Sequence, residues 1–531
     1  MDNIQTCGEK EEQKSWNEEG LSLFRWMHRK KIHAHEQLQS NQSAKPIHTY
    51  ENPLDEIQAH LQHVADVTYQ RIQLGQDTAC TLIYIETIID KTLLYEQIIP
   101  PLVSRGQAVT GRELLAEALS GSLSPVISRG TSSVKQVITD ILAGDLALLI
   151  DQQKMICVFP LTKYSQRSIS EAQNEVVLTG PQEAFVENIH NNVSLVRHKI
   201  KHPDFKLVQY ELGEYTKTTA YIVYVEGLCN EDTLHEIQSK LDRMNIDSVL
   251  SSNYVAEHLD DQPLSPFPTI QYTERPDTLV SSLLEGRIGI MVDGSPQTLI
   301  VPVTFFSLMQ SPEDYFQRYI AATWIRWIRF FFVLASFLVP SLYIAITTFH
   351  PEMIPSDLLI TIAAAREKIP FPALAEVLIM EFTFEGLREA GIRIPRPLGQ
   401  TVSVIGAIVI GQAAVQAGVV SAPTVIVVSI TGIASFIIPH FELGLSFRLL
   451  RFPMLVLGGM FGLYGIIIGM LILYWHLVSI RSFGVPYLYP VAPLVFADWK
   501  DVFLRVQWPK MNNRPRSYGT DNRQRQGKEY E

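Results

Sequence analysis

Residues 330–351, FFFVLASFLVPSLYIAITTFHP, contain no Asp, Glu, Lys or Arg. Residues 452–480, FPMLVLGGMFGLYGIIIGMLILYWHLVSI, are equally free of them, and so is the longer stretch Pro397–Phe441. A helix needs about 20 apolar residues to cross a hydrocarbon core of ~30 Å. The two quoted stretches each fit one crossing and the third is long enough for two. They exclude a wholly soluble protein and a protein held by a single anchor. They predict four spans, at about 330–350, 400–420, 422–438 and 453–476.

Basic residues flank this region. Ser311–Phe330, SPEDYFQRYIAATWIRWIRF, places Trp324 and Trp327 among Arg318, Arg326 and Arg329, the composition of an interfacial belt. Residues 311–329 therefore read as an amphipathic pre-membrane helix. Residues 481–531 read as a basic tail, since His476–Glu531 holds nine Lys/Arg against five acids. Both flanks favour cytoplasmic termini, and an even number of spans agrees. On that count His440–Arg451, HFELGLSFRLLR, falls on the opposite side with two arginines, which argues against it.

Upstream of the spans the chain is polar, then globular. Residues 1–50 form a polar arm with a basic, His-rich patch, RWMHRKKIHAHE (Arg25–Glu36). Two readings stay open for it, a solvated disordered arm and an arm touching anionic lipid heads. From Asn52 helical spacing alternates with short apolar strands. CTLIYIET (Cys80–Thr87) reads as a buried strand, DKTLLYEQIIPPLV as a helix stopped by Pro100-Pro101, and LALLID with MICVFP as a hairpin. Further on, FKLVQYELGEYTKTTAYIVYVEG gives two strands and GRIGIMVDGSPQTLIVPV (Gly286–Val303) a hairpin turning at Asp293-Gly294-Ser295. The fold class is thus multidomain: a two-part soluble α/β (α+β) region followed by an all-α multi-span membrane domain. The soluble parts are placed at 51–165 and 166–310, with a hinge near Ser165–Glu175, and the membrane domain at 330–480. No repeat of 20 to 50 residues is visible, which argues against a solenoid.

Composition narrows the function. Of 531 residues 47% are hydrophobic and 19% charged, below the roughly 25% usual for soluble domains. The net charge of −11 disfavours nucleic acid as a partner. Four scattered cysteines, Cys7, Cys80, Cys157 and Cys229, suggest neither a disulfide framework nor a zinc site and fit a reducing compartment. The polar N-terminus lacks an apolar core, so no cleavable signal is expected. The chain has no P-loop, no H-E-x-x-H and no G-x-S-x-G, so neither an enzyme nor a cofactor is expected. His60 and His63, three apart, find no third ligand and read as a solvated helix face.

The informative segment lies between the first two predicted spans. Phe371–Pro397, FPALAEVLIMEFTFEGLREAGIRIPRP, predicts a helix over 371–391, opened by Pro372, apolar nearly all round and interrupted by four glutamates. Glu381, Glu385 and Glu389 are four apart and share one stripe; Glu376 lies about 140° away. Carboxylates on such a helix need a counter-charge, a proton or a hydrated cavity. Three readings stay open: Arg388, Arg393 and Arg396 neutralise them; they line a water path as charged rings in a homo-oligomer; or the helix lies flat at the interface. The predicted second span carries Gln412 and Gln416, with Gly411 and Gly418, and the fourth carries Gly458 and Gly462. Small residues at this spacing pack helices closely and amides bond across them; a polar lining is the functional alternative.

Several long motifs in order carry a resemblance: TGPQEAFVENIHNNVSLVRHKI (Thr179–Ile200), GRIGIMVDGSP (Gly286–Pro296), SPEDYFQRY (Ser311–Tyr319), FPALAEVLIMEFTFEGLREAGIRIPRPLGQ (Phe371–Gln400), GQAAVQAGVVSAPTVIVV (Gly411–Val428), IASFIIP (Ile433–Pro439) and SFGVPYLYPVAP (Ser482–Pro493). The chain resembles the A-subunit family of spore germinant receptors, from roughly Asp55 to Arg516. The resemblance implies a multi-pass protein of the spore inner membrane, with its soluble region facing the spore core. It implies assembly with a permease-like B subunit, which takes the nutrient, and a lipoprotein C subunit. It further implies a homo-oligomer, a pentamer, forming a nutrient-gated channel for monovalent cations. The arm to Tyr50 and the arginine-rich end after Met511 have no counterpart in the motifs. A secondary transporter of the nutrient itself is the alternative, but it calls for two repeated halves, and none is visible.

Overall fold

Two antiparallel five-stranded sheets built to one plan form the soluble region. In the computed structural model, which describes residues 52–74, 78–106, 109–163, 172, 175–393, 409, 411–520 and 522–526, the first sheet has strands β1 (Val67–Gln73), β2 (Ala79–Ile85), β3 (Arg129–Thr131), β4 (Leu146–Ile150) and β5 (Ile156–Phe159) in the order β1-β2-β4-β5-β3. The second has β6 (Phe205–Leu212), β7 (Thr218–Val225), β8 (Gln271–Thr273), β9 (Ile288–Val292) and β10 (Thr298–Val301) in the order β6-β7-β9-β10-β8. The polar arm, most of the expected hinge and Arg396 lie outside the described residues. The chain divides into two units, Met1–Glu56 and Ile57–Glu531, and the second holds both sheets and the helical region after them.

Helices repeat the plan. Residues 91–106, α2 (Gly111–Ser120) and α3 (Val134–Ala143) serve the first sheet, after α1 (Pro53–His60). The second sheet has α4 (Ile189–Lys199), α5 (Glu231–Asp242), α6 (Ser252–Leu259) and α7 (Pro276–Leu284). Asp90 and Asn230 cap equivalent helices, each accepting from the N–H groups two and three residues on. Val137 and Ile141 of α3 match Leu279 and Leu283 of α7, all fully buried. GDLALLIDQQKMICVFP (Gly144–Pro160) matches GRIGIMVDGSPQTLIVP (Gly286–Pro302) in length and strand placement. The period of this duplication is far longer than the 20 to 50 residues of a solenoid repeat. Contrary to the expectation from sequence, Pro100 and Pro101 do not stop the helix. A π turn over Leu94–Ile98 precedes them, and both fall at the start of Ile99–Gly106, where a missing N–H is tolerated.

The two sheets are docked through a buried ion pair. Arg197 of α4 is fully buried and donates through Nε (3.2 Å) and Nη2 (2.7 Å) to Asp66, which also accepts from the Thr87 hydroxyl at 2.8 Å. An isolated parallel bridge, Val64 to Leu207, lies beside it.

The helical region departs from the four-span expectation. α8 (Tyr319–Phe349) is continuous from within the expected pre-membrane segment, so no separate helix spans 311–329; only the short helix Glu313–Phe316 precedes it. α9 (Ser356–Arg366), α10 (Ala373–Arg393), α11 (Ala422–Ser435) and α12 (Phe441–Ser479) follow. Among the described residues α8 and α12 are long and apolar enough to cross a membrane, and α11 is a shorter apolar helix. Residues 411–416 are helical, and most of the rest of the predicted second span lies outside the described residues.

At 39 residues α12 is about twice the length one crossing needs. It is broken at Gly462, whose φ of 60° and ψ of −141° are open to glycine and strained for other residues. The chain reverses there. The Phe267 ring touches both Phe447 (5.7 Å between centroids) and His476 (6.1 Å), and a side chain at Gly465 would overlap the Leu457 carbonyl. Residues 441–461 and 463–479 are therefore antiparallel arms of a hairpin. The expected span 453–476 is corrected to parts of two arms, and His440–Arg451 to the start of the first. His440 fixes the base: Nδ1 meets the Leu308 carbonyl at 2.7 Å and Nε2 the Gln271 amide at 3.0 Å.

The C-terminal segment folds back onto the soluble region. Phe483 enters the core of the second sheet. Arg525 pairs with Glu285 at 2.6 Å and Arg514 Nε donates to the Leu284 carbonyl at 2.7 Å.

Candidate functional site

The four glutamates of α10 are dispersed over different partners. Glu381 is fully buried and accepts from Arg451 Nη1 at 2.5 Å; Arg451, 1% exposed, also donates through Nε to the Ser336 carbonyl of α8 at 2.9 Å. One step along, Glu385 accepts from Arg448 at 2.5 Å, with Arg388 Nη1 at 3.6 Å. Both arginine partners belong to the first arm of α12. The pairing 381 to 451 and 385 to 448 makes α10 antiparallel to that arm, and the Phe382–Phe452 contact, 4.9 Å between centroids, follows the same register.

Glu376, also fully buried, is held elsewhere. It accepts from Arg366 of α9 at 3.1 Å, from the Ser421 backbone N–H at 3.1 Å and from the Thr424 hydroxyl at 3.1 Å. Ser421 and Thr424 open α11, so this carboxylate sits against the first turn of a helix, where negative charge is favoured. Further along, Arg388 Nη2 donates to Ser435 Oγ at 2.7 Å, and α10 and α11 run parallel. Glu389 is exposed and pairs with Arg393 at 2.6 Å on its own helix. Arg396 lies outside the described residues.

The arrangement neutralises Glu376, Glu381 and Glu385 inside the chain, largely through arginines that sequence reasoning did not select. Arg448 and Arg451 fell in His440–Arg451, the stretch placed between the third and fourth expected spans. Their spacing of three, facing carboxylates spaced four apart, is the signal that pointed to a helix pair. Gln412 and Gln416 are exposed, and no hydrogen bond joins either to another described residue. Gly411 is buried and Gly418 lies against the Lys368 carbonyl. Gly458 is the point of close approach to Ser341 of α8, and Gly462 is the turn of the hairpin.

A second ionic cluster joins the start of α8 to the short helix before it and to the C-terminal segment. Asp314 accepts from Arg326 Nε at 2.9 Å and from both Nη1 and Nη2 of Arg329 at 3.0 Å. Arg326 also reaches Asp501 Oδ1 at 3.1 Å, and Asp501 Oδ2 accepts from the Tyr315 hydroxyl at 2.9 Å. Arg326 and Arg329 are thus buried, not interfacial as expected, because Asp314 and Asp501 offer them acceptors. Trp324 and Trp327 are exposed.

A family model described as Bacillus/Clostridium GerA spore germination protein matches residues 55–517. The chain belongs to the GerA family. This GerA-family chain is 38% identical over 493 residues to the uncharacterised membrane protein YfkQ of Bacillus subtilis (strain 168), covering 93% of this chain and 96% of that one. It is 39% identical over 467 residues to spore germination protein KA of the same organism, covering 88% and 86%. It is also similar to a solved structure, the N-terminal domain of the A subunit of the Bacillus megaterium spore germinant receptor GerK3, at 28% identity over 48% of this chain and 94% of that one, with a TM-score of 0.37.

Proposed function

We propose that this GerA-family chain is the A subunit of a nutrient-responsive germinant receptor in the spore inner membrane, and that it oligomerises, as a pentamer, into a gated path for monovalent cations. Its partners are a permease-like B subunit, which takes the nutrient, and a lipoprotein C subunit. The match over residues 55–517 supports the receptor assignment.

The helix directions support a six-crossing membrane domain. α8 leaves the soluble base and α10 returns. α11 runs parallel to α10 and also returns, which requires one outward crossing between Arg393 and Ala422. The two arms of α12 then go out and back. The even number keeps the C-terminal segment on the side of the soluble region, which this reading places in the spore core. Counting α10 as a crossing is thus compatible with a cytoplasmic C-terminus, because the hairpin adds one more.

The observation that carries the gating mechanism is the clamp of α10 on the first arm of α12. Carboxylates paired with Arg448 and Arg451 attract no cations, so this arrangement corresponds to a closed state. Movement of α10 away from that arm frees Glu385 and Glu381 to line a path with exposed Glu389, giving rings of negative charge in the oligomer. A coupling role for the soluble region follows, since Arg329 of α8 donates to the Met309 carbonyl at 2.7 Å and the C-terminal segment that carries Asp501 also pairs Arg525 with Glu285.

Replacing Glu385 by Gln keeps the side chain's shape and removes its charge. The expected result is a weaker preference for K⁺ or Na⁺ over Cl⁻, read from reversal potentials of the reconstituted receptor in a salt gradient. An anion-selective parent pore, or unchanged selectivity in Glu385→Gln, contradicts the proposal.

A further inference from the structure

A groove of about 440 Å³ opens beside the first turns of α8. Its walls are Ile320, Trp324 and Trp327 on one side and Leu504 and Arg505 on the other, with Lys510 also lining it. Among the described residues no carboxylate lines it. A second cavity, of about 480 Å³, shares the Trp327 wall and continues between Phe330, Phe337 and Met470; among the described residues no charged one lines it. The paired cavities change from cationic to wholly apolar along α8.

We propose that the first groove binds the headgroup of an anionic phospholipid, with one acyl chain lying in the second. Arg505 is 3% exposed, with its guanidinium 5.3 Å from the Tyr315 ring and 5.0 Å from the Trp508 ring. Nη1 donates to the Val506 carbonyl, while Nε has no hydrogen-bond partner among the described residues. A buried cation with an unused donor is costly unless an acceptor arrives, and a phosphate oxygen is such an acceptor. Lys510 is exposed and adds a second positive charge. Trp327 is fixed by donating its indole N–H to the Phe503 carbonyl at 2.9 Å, and tryptophans are favoured where headgroups meet acyl chains. A phospholipid has the same order of charge, interface and hydrocarbon as the two cavities.

This inference rests on the reading of α8 as a membrane helix. Its test is retention of phosphatidylglycerol against phosphatidylcholine by the full chain purified in detergent, measured by native mass spectrometry. Phosphatidylglycerol is expected to be retained preferentially. Lys510→Glu is expected to lower its retention by about fivefold or more while phosphatidylcholine is unchanged, since a basic residue near an anionic surface contributes about that factor. Arg505→Gln is expected to act in the same direction, and the exposed Lys510 keeps the test decisive if Arg505→Gln fails to fold. Glycerol phosphate without acyl chains should not displace the lipid. Equal retention of both lipids, displacement by glycerol phosphate alone, or cross-linking that seats a second copy of the chain over Trp324 overturns the proposal. A chain that stays soluble without detergent and holds no phospholipid overturns the membrane reading itself.

Discussion

Arg451→Gln is expected to lower the thermal midpoint of the purified chain more than any exposed substitution in the helical region. Arg451 is buried and joins three helices, bonding Glu381 of α10 and the Ser336 carbonyl of α8 from the first arm of α12. Without it the fully buried Glu381 keeps a charge with no counter-charge in contact. Removing one partner of a buried pair costs about 3–5 kcal/mol, well above the 0–1 kcal/mol of an exposed pair such as Glu389–Arg393. Adding Glu381→Gln removes the orphaned charge, so the double variant should recover a large part of the loss. The check is a double-mutant cycle by thermal unfolding in detergent. Additive losses, or an Arg451→Gln chain as stable as the parent, contradict the clamp.

Arg197→Ala is the second large expected effect, in the soluble region. Arg197 holds Asp66 by two hydrogen bonds, and its guanidinium lies 4.6 Å from the Phe205 ring centre. The truncation leaves Asp66, itself 4% exposed, with the Thr87 hydroxyl as its remaining side-chain partner among the described residues, and opens a void beside Phe205. The loss is again about 3–5 kcal/mol, concentrated where the two sheets dock. Urea unfolding of Arg197→Ala should separate into two transitions, with early proteolysis between the sheets. A single unshifted transition shows that other contacts hold them.

The strands and the apolar helices were legible in sequence because their signals are local. GRIGIMVDGSPQTLIVPV carries an alternation, a turn and a second run, and it folds as β9 and β10. The charge-free stretches marked α8, α11 and α12. The turn at Gly462 was not legible, because a reversal inside an apolar run leaves no charged or polar residue to mark it, and several glycines share that run. The duplicated plan was equally hidden, because its signal is in strand order and in caps such as Asp90 and Asn230, with few identical residues. The counter-charges of Glu381 and Glu385 were missed for a related reason. Arg448 and Arg451 became available only once His440–Arg451 was helical and antiparallel to α10, which is a tertiary fact. Arg326 and Arg329 read as interfacial until Asp314 and Asp501 were placed beside them.

In the proposed gating mechanism α10 separates from the first arm of α12 when the path opens. Leu374 of α10 packs directly on Gly459 of that arm, close enough that a side chain at Gly459 would press on it. The most direct measurement is K⁺ release from spores carrying Leu374→Cys with Gly459→Cys, exposed to the nutrients that germinate the parent. If α10 must separate, oxidation to the disulfide blocks K⁺ release, a reductant restores it, and each single cysteine variant is indifferent to oxidation. Spores with the disulfide formed that release K⁺ at the parental rate would contradict it.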